Sequence, residues 1–147
     1  MQFSPPPPPS WTVSSALVAA SALILFLLGL FHLVFTFRGS KLHPRDPDLQ
    51  QRMAQDCLRL TSQTSVWRAW IGFNASHSLG ILLFGSVYGY LAVCSPGILF
   101  QSPFLLLLGF LTLCAYAFLS WRYWFSIPLR GSLLALLFYV LALVVGT

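Results

Sequence analysis

Four long apolar runs, separated by three polar breaks of very different size, organise this chain. They cover about residues 11–37, 67–93, 103–121 and 128–146. A helix rises about 1.5 Å per residue, so roughly 20 apolar residues cross about 30 Å of hydrocarbon. Each run predicts a transmembrane helix, and the first two are long enough to tilt. The short connections make neighbouring helices antiparallel. The expected fold is therefore an all-α membrane protein, a four-helix transmembrane up-down bundle.

The breaks carry their own signals. Asp46-Pro47 and Ser102-Pro103 each place a capping side chain before a proline, a helix start. Pro96-Gly97 reads as a turn between the second and third runs. After Asp46, the residues Leu49, Met53, Cys57 and Leu60 recur at helical spacing. Asp48, Arg52, Asp56 and Arg59 lie three or four apart and are placed to pair along the opposite surface. This predicts a short amphipathic helix in the first loop, on the membrane surface or under the bundle. Residues 1–10 contain five consecutive prolines and predict a polyproline II tail. Residues 11–147 then make a single transmembrane domain. The first ten residues are uncharged and the apolar run after them is long, so a retained helix is expected rather than a cleaved signal peptide.

Only 7% of the residues are charged, against 57% hydrophobic. A soluble domain carries roughly 25% charged residues, so most of this surface must face lipid. The net charge of +5 does not point to nucleic acid, because the basic residues flank the apolar runs instead of forming a separate basic face. Anionic lipid headgroups are the simpler partner. Six Lys/Arg fall between Arg38 and Arg68 and two between Arg122 and Arg130, with none elsewhere. Basic loops stay on the cytoplasmic side. Both termini are thus expected on the non-cytoplasmic side. That threading separates Cys57, Cys94 and Cys114, and no disulfide is expected between them.

The second run holds the chain's candidate chemistry. Gly72, Ser76 and Gly80 are spaced by four, and Gly85 and Gly89 repeat the spacing. Small residues so spaced let helices approach closely in lipid, which predicts a helix–helix seam and a route to a homo-oligomer or a larger complex. Asn74 and His77 project from nearly one side of the same helix. A polar group facing lipid costs several kcal/mol unless hydrogen-bonded, roughly, so both are expected to point inward. In the first run His32 lies about 9 Å inside Arg38, and His77 lies about 13–14 Å inside Arg68 at the helical rise. The two imidazoles are therefore expected at similar heights.

Three readings of that cluster follow. The histidines knit the first two spans together as neutral hydrogen-bonding groups. Or they hold haem b or a transition metal, since imidazole ligates Fe, Cu and Zn. Or His32, Asn74 and His77 line a proton-handling or small-molecule pocket, as intramembrane ionisable residues often do. The loop Lys41-Leu42-His43-Pro44-Arg45-Asp46-Pro47 is a charge-paired linker or a lid over them. No nucleophile–base pair, phosphate loop or glutamate is present, so no catalytic residue is assigned.

Gly29-Leu30-Phe31-His32, His43-Pro44-Arg45-Asp46 and the segment Trp70 to Gly80 together resemble a family of small uncharacterised bacterial membrane proteins with four predicted helices. The shared Gly-Phe-Asn-x-Ser-His segment falls on Gly72 to His77. The resemblance covers about half the chain and implies a bacterial inner-membrane protein, with no activity or cofactor attached. The expected function is that of a non-enzymatic accessory or scaffold protein. The alternatives are a haem- or quinone-associated redox protein using His32 and His77, and a small transporter or proton pathway.

Overall fold

The computed structural model describes residues 12–146. The proline-rich tail and Trp11, expected at the outer interface, lie outside the described residues. In chain order the elements are α1 (Val13–Phe37), α2 (Pro47–Gln55), β1 (Cys57–Leu58), β2 (Thr61–Ser65), α3 (Val66–Cys94), α4 (Pro96–Phe100), α5 (Pro103–Tyr123) and α6 (Ser126–Gly146). Among the described residues, α1, α3, α5 and α6 are long and apolar enough to cross a membrane, at 25, 29, 21 and 21 residues. Their starts and ends lie close to those read from the hydropathy pattern. Large apolar side chains such as Leu23, Leu107, Leu111, Leu137 and Val144 point outward from all but one of these helices, and Leu79 and Leu83 do so from α3. Such a surface is costly in water and ordinary in lipid. The protein is an all-α membrane protein built on four spanning helices, with a short helix in its first loop.

The described chain forms two compact units, and the division cuts through both α1 and α3. The first unit joins the N-terminal part of α1, the C-terminal part of α3, and α4 to α6. Its interior is small and tight, with Val18, Ala22, Leu25, Phe84, Leu113, Ala135, Tyr139 and Ala142 buried. Polar groups cross its helix interfaces by bonding to backbone oxygens. Ser21 Oγ donates to Ala135 O at 2.7 Å, Tyr88 OH to Leu105 O at 2.7 Å, and Tyr139 OH to Leu106 O at 3.1 Å. The Ser120 and Ser132 hydroxyls meet at 3.3 Å. In a medium that offers no hydrogen bonds, each such contact removes a desolvated polar group. Tyr88, in the last turns of α3, is buried at 4% exposure. Pro96–Phe100 is a single helical turn and more, in place of the expected plain turn.

The second unit, Leu27–Leu83, carries the rest of α1 and α3 with everything between them. Asp46 caps α2 by accepting from the Asp48 N–H at 3.0 Å, and Pro47 occupies the first turn. The expected helix does not continue to Leu60. Asp56 is extended, its Oδ1 accepts the Cys57 N–H at 2.9 Å, and residues 57–65 fold into a two-stranded antiparallel hairpin. The reason is local. Thr61-Ser62-Gln63-Thr64-Ser65 is rich in Ser and Thr, whose branched or backbone-competing side chains favour extended chain over helix. The expected charge ladder changes with it. Arg52 reaches back to the cap residue Asp46 at 3.7 Å, and this is the ion pair among the described residues. Both partners are exposed, so it adds about 0–1 kcal/mol.

The glycine seam holds only in part. Gly72, Ser76 and Gly80 lie on an outward face of α3, and a Cβ built on Gly72 would meet nothing within 4 Å. Asn74 and Ser78, on the opposite face, are buried. Spacing by four says that residues share a face, not that the face turns inward. Polar Asn74 and Ser78 lose more by facing lipid than glycine does, so they take the interior. The close approaches occur at Gly85, a member of the expected series, and at Gly29 on α1. A Cβ on Gly29 would lie 2.9 Å from Ile81, and one on Gly85 would lie 2.7 Å from Phe26.

Candidate functional site

The intramembrane polar cluster is built by α1 and α3 within the second unit. Asn74 is 1% exposed and is the hinge of the arrangement. Its Nδ2 donates to Trp70 O one turn earlier, at 2.8 Å. A carbonyl oxygen only accepts, so the amide nitrogen must face Trp70 and the amide oxygen must face α1. There, Asn74 Oδ1 lies 3.0 Å from His32 Nε2. His32 therefore donates from Nε2, and in its neutral form the lone pair sits on Nδ1. Around this bond the backbone carbonyls are also engaged. Thr36 Oγ1 donates to His32 O and Ser78 Oγ to Asn74 O, each at 2.8 Å.

His77 stands beside this pair. Its ring meets the His32 ring edge to face, with centroids 5.6 Å apart and planes at 82°. On its other side Phe73 lies parallel at 6.2 Å and 6°. Phe73 is 61% exposed and forms the outer wall of the cluster. The structure thus brings together all three residues singled out from the sequence, His32, Asn74 and His77. It adds Trp70 O, Thr36, Phe73 and Ser78. The Trp70-Phe73-Asn74-His77 spacing of three and four was the signal for the added partners on α3.

The loop preceding α2 closes over the basic end of these two helices. Gly39, at φ +81°, turns the chain just after Arg38. Lys41 Nζ then sits 4.0 Å over the Phe35 ring, a cation–π contact. Trp70 Nε1 donates to Leu42 O at 3.2 Å, and His43 packs edge to face on Trp67 with centroids 4.9 Å apart. The segment is pinned at three consecutive residues to both helices.

Chemically, the cluster offers two imidazoles in mutual contact and one amide whose two ends are used. The rings touch, and one turn from His32 the α1 backbone at Gly29 packs directly on Ile81. The cluster can hold α1 to α3, or carry a proton or hydrogen bond between His32 and His77. The fold and the cluster define a helical integral membrane protein with a histidine–asparagine pair inside one helix interface. No protein-family profile, curated protein or solved structure matches the chain.

Proposed function

We propose that this is a non-enzymatic integral membrane protein that serves as an accessory subunit or scaffold. The observation that carries this reading is the closure of the polar cluster on itself. Asn74 spends its oxygen on His32 and its nitrogen on Trp70 O, which suits a fastener between two helices. Among the described residues, every buried side-chain nitrogen and oxygen has a hydrogen-bond partner. The outward face of α3 at Gly72, Ser76 and Gly80 supports association with other membrane helices, including a second copy of this chain. The basic residues of the first and last loops support threading with both termini outside the cytoplasm, and the resemblance noted above implies a bacterial inner membrane. Cross-linking in intact membranes followed by native mass spectrometry tests the reading. A defined larger assembly that Gly72→Leu disperses supports it. A monomer under the gentlest solubilisation overturns it.

The contact between His32 and His77 favours a second reading, a redox or proton-handling role at the same cluster. Its reagents are a quinone headgroup reached from the lipid beside Phe73, or protons passed between the imidazoles. A haem version is checked by the absorption spectrum of protein made with ample haem, where a Soret band lost in His77→Ala is the required result. Proteoliposomes without pH-dependent flux or quinone binding remove the remainder, including a small transporter.

A further inference from the structure

Helix α2 and the β1–β2 hairpin leave their own apolar side chains uncovered. No residue of α2 is buried, and Leu49 on one of its faces is exposed. Leu58 is exposed on β1, and Leu60 at the hairpin turn is 91% exposed. Such side chains are stabilised by any apolar neighbour that removes them from water.

The tether decides which neighbour is within reach. The segment is joined at one end to α1 through Phe37 and at the other directly to α3 at Val66. Its leading loop is held down by the Lys41–Phe35, Leu42–Trp70 and His43–Trp67 contacts. The Val66 N–H donates to Asp56 O at 2.9 Å, which holds the hairpin base at the start of α3. The apolar side chains are thus anchored at the ends of two spanning helices, beside the bilayer those helices cross.

The charges point to the same occupant. The acidic groups are used locally: Asp46 caps α2 and pairs with Arg52, Asp48 sits in the first turn of α2, and Asp56 accepts the Cys57 N–H. Arg45 and Arg59 are exposed, and among the described residues neither has a carboxylate at ion-pair distance. Arg59 sits between Leu58 and Leu60. A guanidinium flanked by leucines matches a phosphate above acyl chains, with charge-assisted bonds to one and burial in the other.

We propose that α2 and the hairpin form a docking surface for anionic phospholipid, with Leu49, Leu58 and Leu60 entering the headgroup–acyl boundary and Arg45 and Arg59 holding lipid phosphates. This surface is independent of the scaffold reading and of the histidine cluster.

The test uses the full chain with Cys57, Cys94 and Cys114 replaced by serine and an environment-sensitive NBD label at Leu60→Cys. It is reconstituted in vesicles of phosphatidylcholine alone or mixed with phosphatidylglycerol. In the mixed vesicles the label is expected to shift to the blue, to be quenched by nitroxide lipids and to escape aqueous iodide. A label at Gln51→Cys, on the face of α2 opposite Leu49, is expected to stay open to iodide. Arg45→Gln/Arg59→Gln returns the Leu60 label to its behaviour in phosphatidylcholine. The unlabelled chain supplies a second measurement, slower amide exchange over residues 57–65 in nanodiscs containing phosphatidylglycerol. Equal iodide quenching at both labelled positions in both vesicles overturns the proposal. So does protection of Leu60 that appears only when other membrane proteins are added, which would make the occupant a protein.

Discussion

His32 on α1 and Asn74 on α3 meet at 3.0 Å between Nε2 and Oδ1, and the second hand of the Asn74 amide closes on the carbonyl of Trp70. One side chain is thereby bonded across a helix interface and along its own helix at once. Neither group is left unsatisfied in a low-dielectric interior, where an orphan is expensive.

Removing either partner therefore exposes the other. His32→Ala and Asn74→Ala are each expected to cost about 1–2 kcal/mol, since a buried polar group loses its partner. The double variant is expected to lose less than the sum, with a coupling of about 0.6 kcal/mol or somewhat more for an interhelical hydrogen bond in a membrane. Unfolding in mixed micelles measures all three. Strict additivity would show that the 3.0 Å contact contributes nothing.

Two glycine substitutions are expected to differ sharply. A Cβ at Gly109 collides with the Tyr139 hydroxyl and lies 2.7 Å from Tyr88 Cε1. Overpacking of this kind costs about 1–3 kcal/mol, so Gly109→Ala is expected to lower the melting temperature. At Gly72 nothing lies within 4 Å, and Gly72→Ala is expected to be neutral or to stabilise by about 0.5–1 kcal/mol through helix propensity. Thermal unfolding of the two variants side by side reads the contrast.

The tyrosine hydroxyls matter through the carbonyls they reach. Tyr139→Phe removes the donor to Leu106 O and Tyr88→Phe the donor to Leu105 O. Each is expected to cost about 0.5–1.5 kcal/mol while the ring packing is kept. Amide exchange along the first turns of α5 is the sensitive readout, and unchanged exchange there in both variants would count against these bonds.

Asp46 governs α2 alone. Asp46→Ala removes the cap on the Asp48 N–H and the Arg52 partner together. The expected loss is about 1 kcal/mol of local helix stability, seen as faster amide exchange over residues 48–55. The spans and the His32–Asn74 bond are expected to be unaffected, because α2 has no buried residue through which to disturb them.

Much of this protein was legible in the chain itself. Four apolar runs of spanning length admit no other structure in lipid, since a backbone in hydrocarbon must satisfy its own hydrogen bonds. The Asp46-Pro47 and Ser102-Pro103 starts were legible for a local reason, as both caps act within one turn. His32, Asn74 and His77 were legible as a group because depth along a helix follows from residue count. Direction around the helix was another matter. Gly72-Ser76-Gly80 and Asn74-Ser78 have the same spacing on opposite faces of α3, and only packing against α1 decided which one turned inward. The apolar spacing that runs through Cys57 and Leu60 suggested helix, but the Ser/Thr run after them closed a hairpin with Cys57–Leu58 instead. The burial of Tyr88 was not legible, because it depends on the absence of a side chain at Gly109, which gives its ring room to reach the α5 backbone. Hydropathy and local capping are properties of a few neighbouring residues, whereas facing and pairing depend on what arrives from elsewhere in the chain.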